Sequence, residues 1–434
     1  MSTSNLALKH IAKRGREIYR SRRLLPLALG ICLAASAARA DVVTDWNVVA
    51  LDTLAVTPSY AFQTRNLAMV HAAIYDAVNS IERRYPAYKF MVPALPGASS
   101  TAAAAQAAHD VLALLYPAQQ TALDGALAKS LSAIPDGPGK TAGIDVGKSI
   151  AAQLFALRSA DGSATPRPYT PGSGPGAWVS EVVPPAPGNA YNWPLVMPWF
   201  LDTGAQFRPD GPPRLKSRRY ATDFNEVKSL GRATGSARSV DQTEAALFWA
   251  PLAHILWNQA ARELSTQHGL ELTKNARFFA WFNLAVADGT IAGFDAKYAF
   301  NFWRPITAIH HADEDGNRAT TADVTWVPLL ITPNHPDYVS THSVNAGAAE
   351  AVLECVFGGR VSVDLTSSNL PGVTHHYARV RQITEENNNA RVWAGLHFRK
   401  AVIDGARLGR RVAGVALKHL GGCEHEDEGD DDLD

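Results

Sequence analysis

The chain has 434 residues, of which 41 are Lys or Arg and 41 are Asp or Glu, so its formal net charge at pH 7 is zero. This balance gives no electrostatic reason to expect nucleic acid or an anionic membrane surface as a partner. Any cationic site must therefore be a local concentration of charge. The length is sufficient for two packed helical layers or for one large domain with insertions.

The first 40 residues have the three-part pattern of an export signal. A basic stretch over residues 9–23 precedes an apolar run over 24–38, and small residues follow. The pair Arg22-Arg23 resembles a twin-arginine signal, which would mean export in the folded state, and an ordinary secretory signal explains the pattern equally well. We expect an exported protein, periplasmic or secreted, that begins near Asp41.

Beyond this signal, no apolar stretch approaches the roughly 18 residues that a membrane-spanning helix needs. We therefore expect no stable membrane insertion. Of the three cysteines, Cys32 lies in the signal. Whether Cys355 and Cys423 pair stays open here, because a disulfide depends on a distance that the sequence does not give. The oligomeric state is equally open.

Apolar residues recur at three- and four-residue steps through most of the chain, which predicts amphipathic helices. Between residues 161 and 213, Pro, Gly and aromatic residues predominate instead, and this composition predicts a long ordered or lid-like loop. Its aromatic side chains could line a substrate entrance or attach the loop to the core, and we assign no role to them. Helices are predicted at 65–84, 99–115, 117–131, 144–157, 241–268, 274–303, 343–357 and 388–420.

These patterns predict an all-α protein made of helical bundles, with no strand ladder and no internal repeat. The acidic end of the chain is interpreted as a solvated tail. The expected organisation is an export signal (1–40), an N-terminal helical region (41–160), a loop region rich in Pro and Gly (161–235), a C-terminal helical bundle (236–422) and the acidic tail (423–434).

Basic side chains flank an aromatic run at the end of one predicted helix. Lys297 and Arg304 are seven residues apart, close to two helical turns, so they are expected on one face of a helix that Pro305 ends. A solvated basic pair at a helix C-terminus would have the same spacing. The aromatic residues between them, including Trp303, favour a pocket because they leave little surface to be solvated.

Two further segments carry histidines. Ser340 and Thr341 are good helix caps before His342, and the free N–H groups of a helix start can bind an anion. Arg391 precedes His397 by six residues on the predicted last helix. Residues six apart do not share a helix face, so the side chain of Arg391 would have to extend around the helix from its N-terminus to meet His397. Each histidine taken alone could be a packed structural residue.

In chain order, the patterns Lys-x6-Arg-Pro, Ser-x-His and Arg-x5-His resemble the signature of the type 2 phosphatidic acid phosphatase and vanadium haloperoxidase superfamily. This resemblance covers about the last 140 residues. Residues 65–79 are similar to the N-terminal region of soluble bacterial haloperoxidase-like proteins, which extends it to most of the mature chain. The resemblance implies helical bundles, with vanadate bound in the C-terminal one.

The resemblance also implies a role for each residue. His397 would be the apical ligand to vanadium, or the nucleophile of a phosphatase. Ser340 and the backbone N–H of Thr341 would donate to the equatorial oxygens, and His342, with a pKa of roughly 7, would be the acid/base residue. Three cations would neutralise the oxyanion: Lys297, Arg304 and Arg391.

Two positions depart from the family pattern. Thr341 stands where Gly is usual, which affects close approach to the oxyanion, and Ala401 stands where an Asp is frequent. Asp404 is two turns beyond His397, too far for a direct bond to its ring. The sequence does not identify the residue that orients each histidine, and three candidates stay unranked: Asp241, Asp288 and Asp295.

The predicted function is a vanadate-dependent haloperoxidase that uses hydrogen peroxide to oxidise a halide, with a small organic substrate halogenated afterwards. By the resemblance, His335 faces the halide, at a position that is aromatic in chloroperoxidases and His in bromoperoxidases; this favours bromide, although His335 could simply cap a turn. Trp303 is a second halide candidate. Two alternatives remain: a phosphatase with a phosphohistidine intermediate, and a non-catalytic oxyanion-binding protein.

Overall fold

The computed structural model describes residues 41–168, 170, 172–182, 184–419 and 421–423. The predicted export signal and the acidic tail from residue 424 onward lie outside the described residues. Within them the chain forms thirteen α-helices and a two-stranded hairpin, so the predicted helical class is confirmed. None of the described helices is long and apolar enough to span a membrane.

Five helices form the N-terminal region. The second is buried over most of its circumference, and its buried faces carry polar side chains such as Arg65, His71 and Asp76 beside the apolar ones. It packs against a long helix of the C-terminal region, and one apolar core extends from Val42 to Leu417. The five are α1 (Val42–Leu54), α2 (Tyr60–Glu82), α3 (Ser100–Leu115), α4 (Gln120–Ser132) and α5 (Pro138–Ser159).

Eight helices and the hairpin follow the central loop. They are α6 (Arg218–Leu230), α7 (Val240–Phe248), α8 (Ala253–Gln267), α9 (Leu272–Phe300), α10 (Pro305–His310), α11 (Thr341–Phe357), β1 (Arg360–Ser367), β2 (Leu370–Arg379), α12 (Val380–Trp393) and α13 (Arg399–His419). The predicted helix at 241–268 is two helices, because Pro251 interrupts the hydrogen-bond ladder between α7 and α8. Ser239 caps α7 through a capping box with Gln242, and Asp241 is an exposed residue of its first turn.

Buried carboxylates hold the loop between the two regions in place. Asp288 accepts hydrogen bonds from the backbone N–H groups of Trp199, Phe200 and Leu201. Asp295 forms a two-pronged ion pair with Arg208. Among the described residues neither carboxylate contacts a histidine of the predicted site, so both proposed histidine-orienting roles are wrong.

The hairpin β1–β2 contradicts the expectation that the chain lacks strands. The two strands pair antiparallel, with Val363 opposite Tyr377 and Leu365 opposite His375. Alternate side chains of β1 are buried against α8, whereas the intervening polar side chains are exposed. This period of two covers only the eight residues of β1, too short a run to stand out among the helical patterns on either side.

Residues 388–420 were predicted as one helix, and this is also wrong. Helix α12 ends at Trp393, and Gly395 adopts a positive φ of 80°. A Cβ atom at Gly395 would lie 2.5 Å from the carbonyl oxygen of Gly231, so only glycine fits this close approach. The chain then turns through His397 before α13 begins.

Close packing fixes the start of α11 relative to α13. A Cβ atom at Gly409 would lie 1.9 Å from the carbonyl oxygen of Val344, so the two backbones approach more closely than any side chain would allow. At the far end of α11, Cys355 forms a disulfide with Cys423, with 5.2 Å between the Cα atoms. The pairing that the sequence left open is therefore made, and it ties the end of the described chain to α11.

Candidate active site

The three predicted segments meet at a cavity of about 490 Å³ between the two helical regions. Lys297, Arg304 and Ser340 lie directly behind its wall, and all three are fully buried. The described residues that line it include Tyr60, Phe62, Asn189, Phe294, His335, Thr341, His342, Arg391 and His397.

Arg304 contacts residues on both sides of the site, but it is not on the helix that carries Lys297. Helix α9 ends at Phe300, Asn301 adopts a left-handed conformation, and Arg304 becomes the N-cap residue of α10, of which Pro305 is the first residue. The predicted common helical face is therefore wrong, and tertiary structure brings the two cations together instead. Burial lowers the pKa of Arg304 to about 10.

The guanidinium group of Arg304 connects both sides of the cavity. Its Nε donates to the carbonyl oxygen of His335 at 2.7 Å, and Nη1 donates to that of Leu396 at 2.8 Å. Nη1 also lies 3.2 Å from Nε2 of His397, and Nη2 lies 2.9 Å from Nδ1 of His335. Because a guanidinium group can only donate, both ring nitrogens accept from it. The carbonyl oxygen of Pro336 also lies near Nδ1 of His335 but farther away, at 3.2 Å, so the shorter contact with Arg304 assigns the tautomer of His335.

His397 presents an unprotonated nitrogen to the cavity. Its Nδ1 lies 2.8 Å from Oδ1 of Asp337, so Nδ1 carries the proton and Nε2 retains its lone pair. Burial, together with Arg304 and the other two cations, lowers the pKa of His397 well below its usual range. A neutral imidazole with an oriented Nε2 lone pair can act as a metal ligand or as a nucleophile once that lone pair exchanges its 3.2 Å contact with Nη1 of Arg304 for the ligand.

Asp337 is the orienting carboxylate that the sequence analysis missed. Asp337 stands between His335 and Ser340, in a segment that carries predicted site residues. The carboxylates considered as orienting residues, Asp241, Asp288 and Asp295, all lie in predicted helices. Burial raises the pKa of Asp337 to about 7, against the opposing effects of Arg304 and Lys297. Its backbone carbonyl accepts from Nζ of Lys297 at 3.0 Å, as the carbonyl of Pro336 does at 2.7 Å.

Arg391 enters the site from the C-terminal end of α12, not from the start of a last helix as expected. Its Nη1 donates to the carbonyl oxygen of Trp249 at 3.1 Å. Its Nε is buried, and no described residue accepts from it. Burial and the neighbouring Arg304 lower the pKa of Arg391 to about 9.

The start of α11 supplies two hydroxyl groups that can donate hydrogen bonds, those of Ser340 and Thr341. Ser340 is the N-cap residue, as predicted, and its Oγ accepts from the N–H of Ser343 at 3.4 Å. The hydroxyl proton of Ser340 is therefore not used in the cap. The hydroxyl group of Thr341 is buried and has no partner among the described residues.

His342 occupies the second position of α11, with its ring between Tyr60 and the carbonyl oxygen of Pro251. Nε2 lies 3.1 Å from that carbonyl, which only accepts, so Nε2 carries the proton and Nδ1 keeps its lone pair. Burial and Arg391 lower its pKa well below the usual range. The expected pKa of roughly 7 is therefore wrong for the protein without a bound anion, in which His342 is a neutral base.

The two halide candidates differ in position. His335 lines the cavity, and because its Nδ1 accepts from Arg304, its Nε2 carries the proton and can donate to a ligand. Trp303 instead packs in the core, with its ring stacked on Tyr220 at 6.5 Å. The described residues that line the cavity do not include Trp303, because the chain turns at Asn301 and directs this side chain into the core.

This donor set fits a small, multiply charged oxyanion such as vanadate. Three buried cations surround a neutral imidazole, and three donors at the cavity, Nε of Arg391 and the hydroxyls of Thr341 and Tyr60, lack a partner among the described residues. A buried unpaired donor costs about 1–3 kcal/mol, so an oxygen-rich ligand would satisfy groups that the protein leaves unpaired.

We expect the affinity for sulfate to fall as pH rises from about 7 to about 10. Burial lowers the pKa values of Lys297, Arg304 and Arg391 in the free pocket, and repulsion from Arg304 lowers those of Lys297 and Arg391 further. A bound dianion favours their protonated forms, so binding takes up protons and weakens as protons become scarce. Sulfate keeps its own charge over this range. Calorimetry in two buffers of different ionisation heat measures the uptake, and a pH-independent affinity without uptake would contradict the expectation.

Residues 277–423 match the family model of the VCPO second helical-bundle domain. The chain is 25% identical over 404 residues to the vanadium chloroperoxidase of Curvularia inaequalis, an alignment that covers 73% of this chain and 65% of that protein's length. It is also similar to the structure of the first bacterial vanadium-dependent iodoperoxidase, with a TM-score of 0.74, 22% identity, and coverage of 89% of this chain and 96% of that one. An apo-type bacterial vanadium-dependent chloroperoxidase gives a TM-score of 0.64 at 17% identity, with coverage of 83% and 94%.

Proposed function

We propose that the chain is a vanadate-dependent haloperoxidase, because residues 277–423 match the VCPO second helical-bundle domain and the chain is similar to vanadium haloperoxidases over most of its length. It would use hydrogen peroxide to oxidise a halide to the hypohalous acid, which then halogenates a small organic substrate. The observation that carries the proposal is the Nε2 lone pair of His397, fixed by Asp337 and surrounded by cations.

When bound, vanadate supplies a Lewis acid that activates peroxide without a change of oxidation state. Nε2 of His397 would ligate the vanadium, and Ser340 and the N–H of Thr341 would donate to its oxygens. Three cations would compensate the negative charge: Lys297, Arg304 and Arg391. Nδ1 of His342, which keeps a lone pair while Nε2 is tied to Pro251, would accept a proton from incoming peroxide.

A phosphatase is the second candidate, because the same oriented Nε2 of His397 suits attack on phosphorus and His342 could then protonate the leaving group. A non-catalytic oxyanion-binding protein is the third, and Thr341 in place of Gly is the residue that supports it. The purified chain should be reconstituted with vanadate and assayed for bromide-dependent bromination of monochlorodimedone, alongside hydrolysis of a generic phosphomonoester. We expect bromination only; hydrolysis alone would favour the phosphatase, and oxyanion binding without either activity would favour the third candidate.

The halide preference is proposed to depend on His335. Its Nε2–H faces the cavity, and an imidazole there makes the halide side more polar than a phenyl ring would, so bromide, the easier halide to oxidise, should be preferred over chloride. We expect negligible chloride oxidation by the natural chain and a rise in chloride oxidation in the His335→Phe variant. Steady-state rates with each halide test this, and comparable turnover of chloride and bromide before any substitution would disprove it.

We also propose that the chain is exported. The pattern of residues 1–40 is the main argument, and the disulfide between Cys355 and Cys423 supports it, since disulfides persist mainly in oxidising compartments.

A further inference from the structure

Tyr60, the first residue of α2, belongs to the wall of the cavity although it lies far outside the segment that matches the family model. Its ring is parallel to that of His342, with 6.1 Å between centroids and 5° between planes. The ring of His254 packs against it as well, at 5.3 Å. The ring is therefore held beside the proposed acid/base residue by contacts with two elements, α8 and α11.

The hydroxyl group of Tyr60 is buried, and no described residue pairs with it. The electrostatic influence of Arg391 reaches this hydroxyl, and Nε of Arg391 is likewise buried without an acceptor. Nε of Arg391 can only donate, whereas the hydroxyl of Tyr60 can donate or accept, yet the two groups form no hydrogen bond with each other. Two neighbouring donors that both lack an acceptor indicate a ligand that supplies oxygens to both.

We propose that the hydroxyl group of Tyr60 donates a hydrogen bond to an oxygen of the bound oxyanion, beside Arg391, so that the N-terminal region completes the site. This inference rests on the proposed function, because it requires an oxyanion in the cavity. Burial raises the pKa of Tyr60 above its usual range, so the hydroxyl keeps its proton and remains a donor. A donor that is already fixed and desolvated contributes to affinity without further ordering.

The Tyr60→Phe variant tests the proposal, because it removes the hydroxyl and keeps the ring against His342 and His254. Without a ligand, we expect its melting temperature to be unchanged or higher, since the hydroxyl that is lost has no partner in the protein. The dissociation constants for vanadate and for phosphate, measured by calorimetry, should each rise about tenfold. The thermal shift that each anion produces should shrink accordingly.

Tyr75→Phe is the matched control, on the same helix. The hydroxyl of Tyr75 donates to the carbonyl oxygen of Pro86 at 2.6 Å, away from the cavity. This variant should melt at a lower temperature and bind both anions with the affinity of the natural chain. Tyr60→Phe should therefore weaken anion binding without lowering the melting temperature, whereas Tyr75→Phe should lower the melting temperature without weakening anion binding.

A Tyr60→Phe variant that binds both anions as tightly as the natural chain would overturn the inference and leave the proposed function intact. A natural chain that binds neither vanadate nor phosphate would overturn the proposed function, and the inference with it.

Discussion

Replacing His397 by Ala should abolish stable vanadate binding, whereas replacing His342 by Ala should leave vanadate bound and impair turnover. Among the described residues that line the cavity, His397 is the one whose lone pair is oriented by a carboxylate, Asp337. Loss of His397, the proposed ligand to vanadium, should raise the dissociation constant for vanadate more than about 100-fold. Loss of a residue that only orients a metal ligand typically costs about 10- to 100-fold in metal affinity. Loss of a general base should lower kcat by about 10²- to 10⁴-fold.

Calorimetric titration with vanadate and bromination rates separate these two effects. The matched control is His376→Ala, which removes an exposed histidine on β2 and should alter neither quantity. Equal losses of vanadate affinity in the two active-site variants would remove the support for separate ligand and acid/base roles.

Replacing Asp337 by Asn should move the affinities for vanadate and sulfate in opposite directions. The substitution removes a negative charge among three buried cations, so an anion held only by charge and hydrogen bonds, such as sulfate, should bind as tightly or more tightly. An Asn side chain no longer requires a proton on Nδ1 of His397, so the 3.2 Å contact with Nη1 of Arg304 alone favours the lone pair on Nε2, and Nε2 carries the proton in a larger fraction of the molecules. Vanadate, which needs that lone pair, should bind about 10- to 100-fold more weakly.

The measurement belongs at about pH 8, where Asp337 of the natural chain, with a pKa of about 7, is ionised. Both anions are titrated into both proteins by calorimetry. If the two affinities shift in the same direction, Asp337 acts through its charge alone and does not set the tautomer of His397.

Local rules predicted the parts of the site that depend on neighbours in sequence. Ser340 was identified as a helix cap, and the structure places it at the start of α11. The helical class was equally predictable, because apolar periodicity is a local property. The same rules placed Trp303 in the site, although a left-handed turn at Asn301 directs it into the core.

Features that depend on the path of the chain could not be predicted in this way. Asp337 orients His397 across 60 residues of sequence, and its own carbonyl also anchors Lys297. Tyr60 reaches the cavity only because α2 packs against α9, which no short motif encodes. The break between α12 and α13 depends on the contact of Gly395 with Gly231, a distant loop residue.

The most direct test of the central claim is to titrate metal-free protein with vanadate while peroxide-dependent bromide oxidation is measured. If the cavity around His397 is a vanadate site that supports halide oxidation, activity should rise in proportion to bound vanadate and saturate at one vanadate per chain. It should also fall when phosphate competes for the same cations. Bromide oxidation that does not depend on vanadate, or that is absent at full occupancy, would contradict the account.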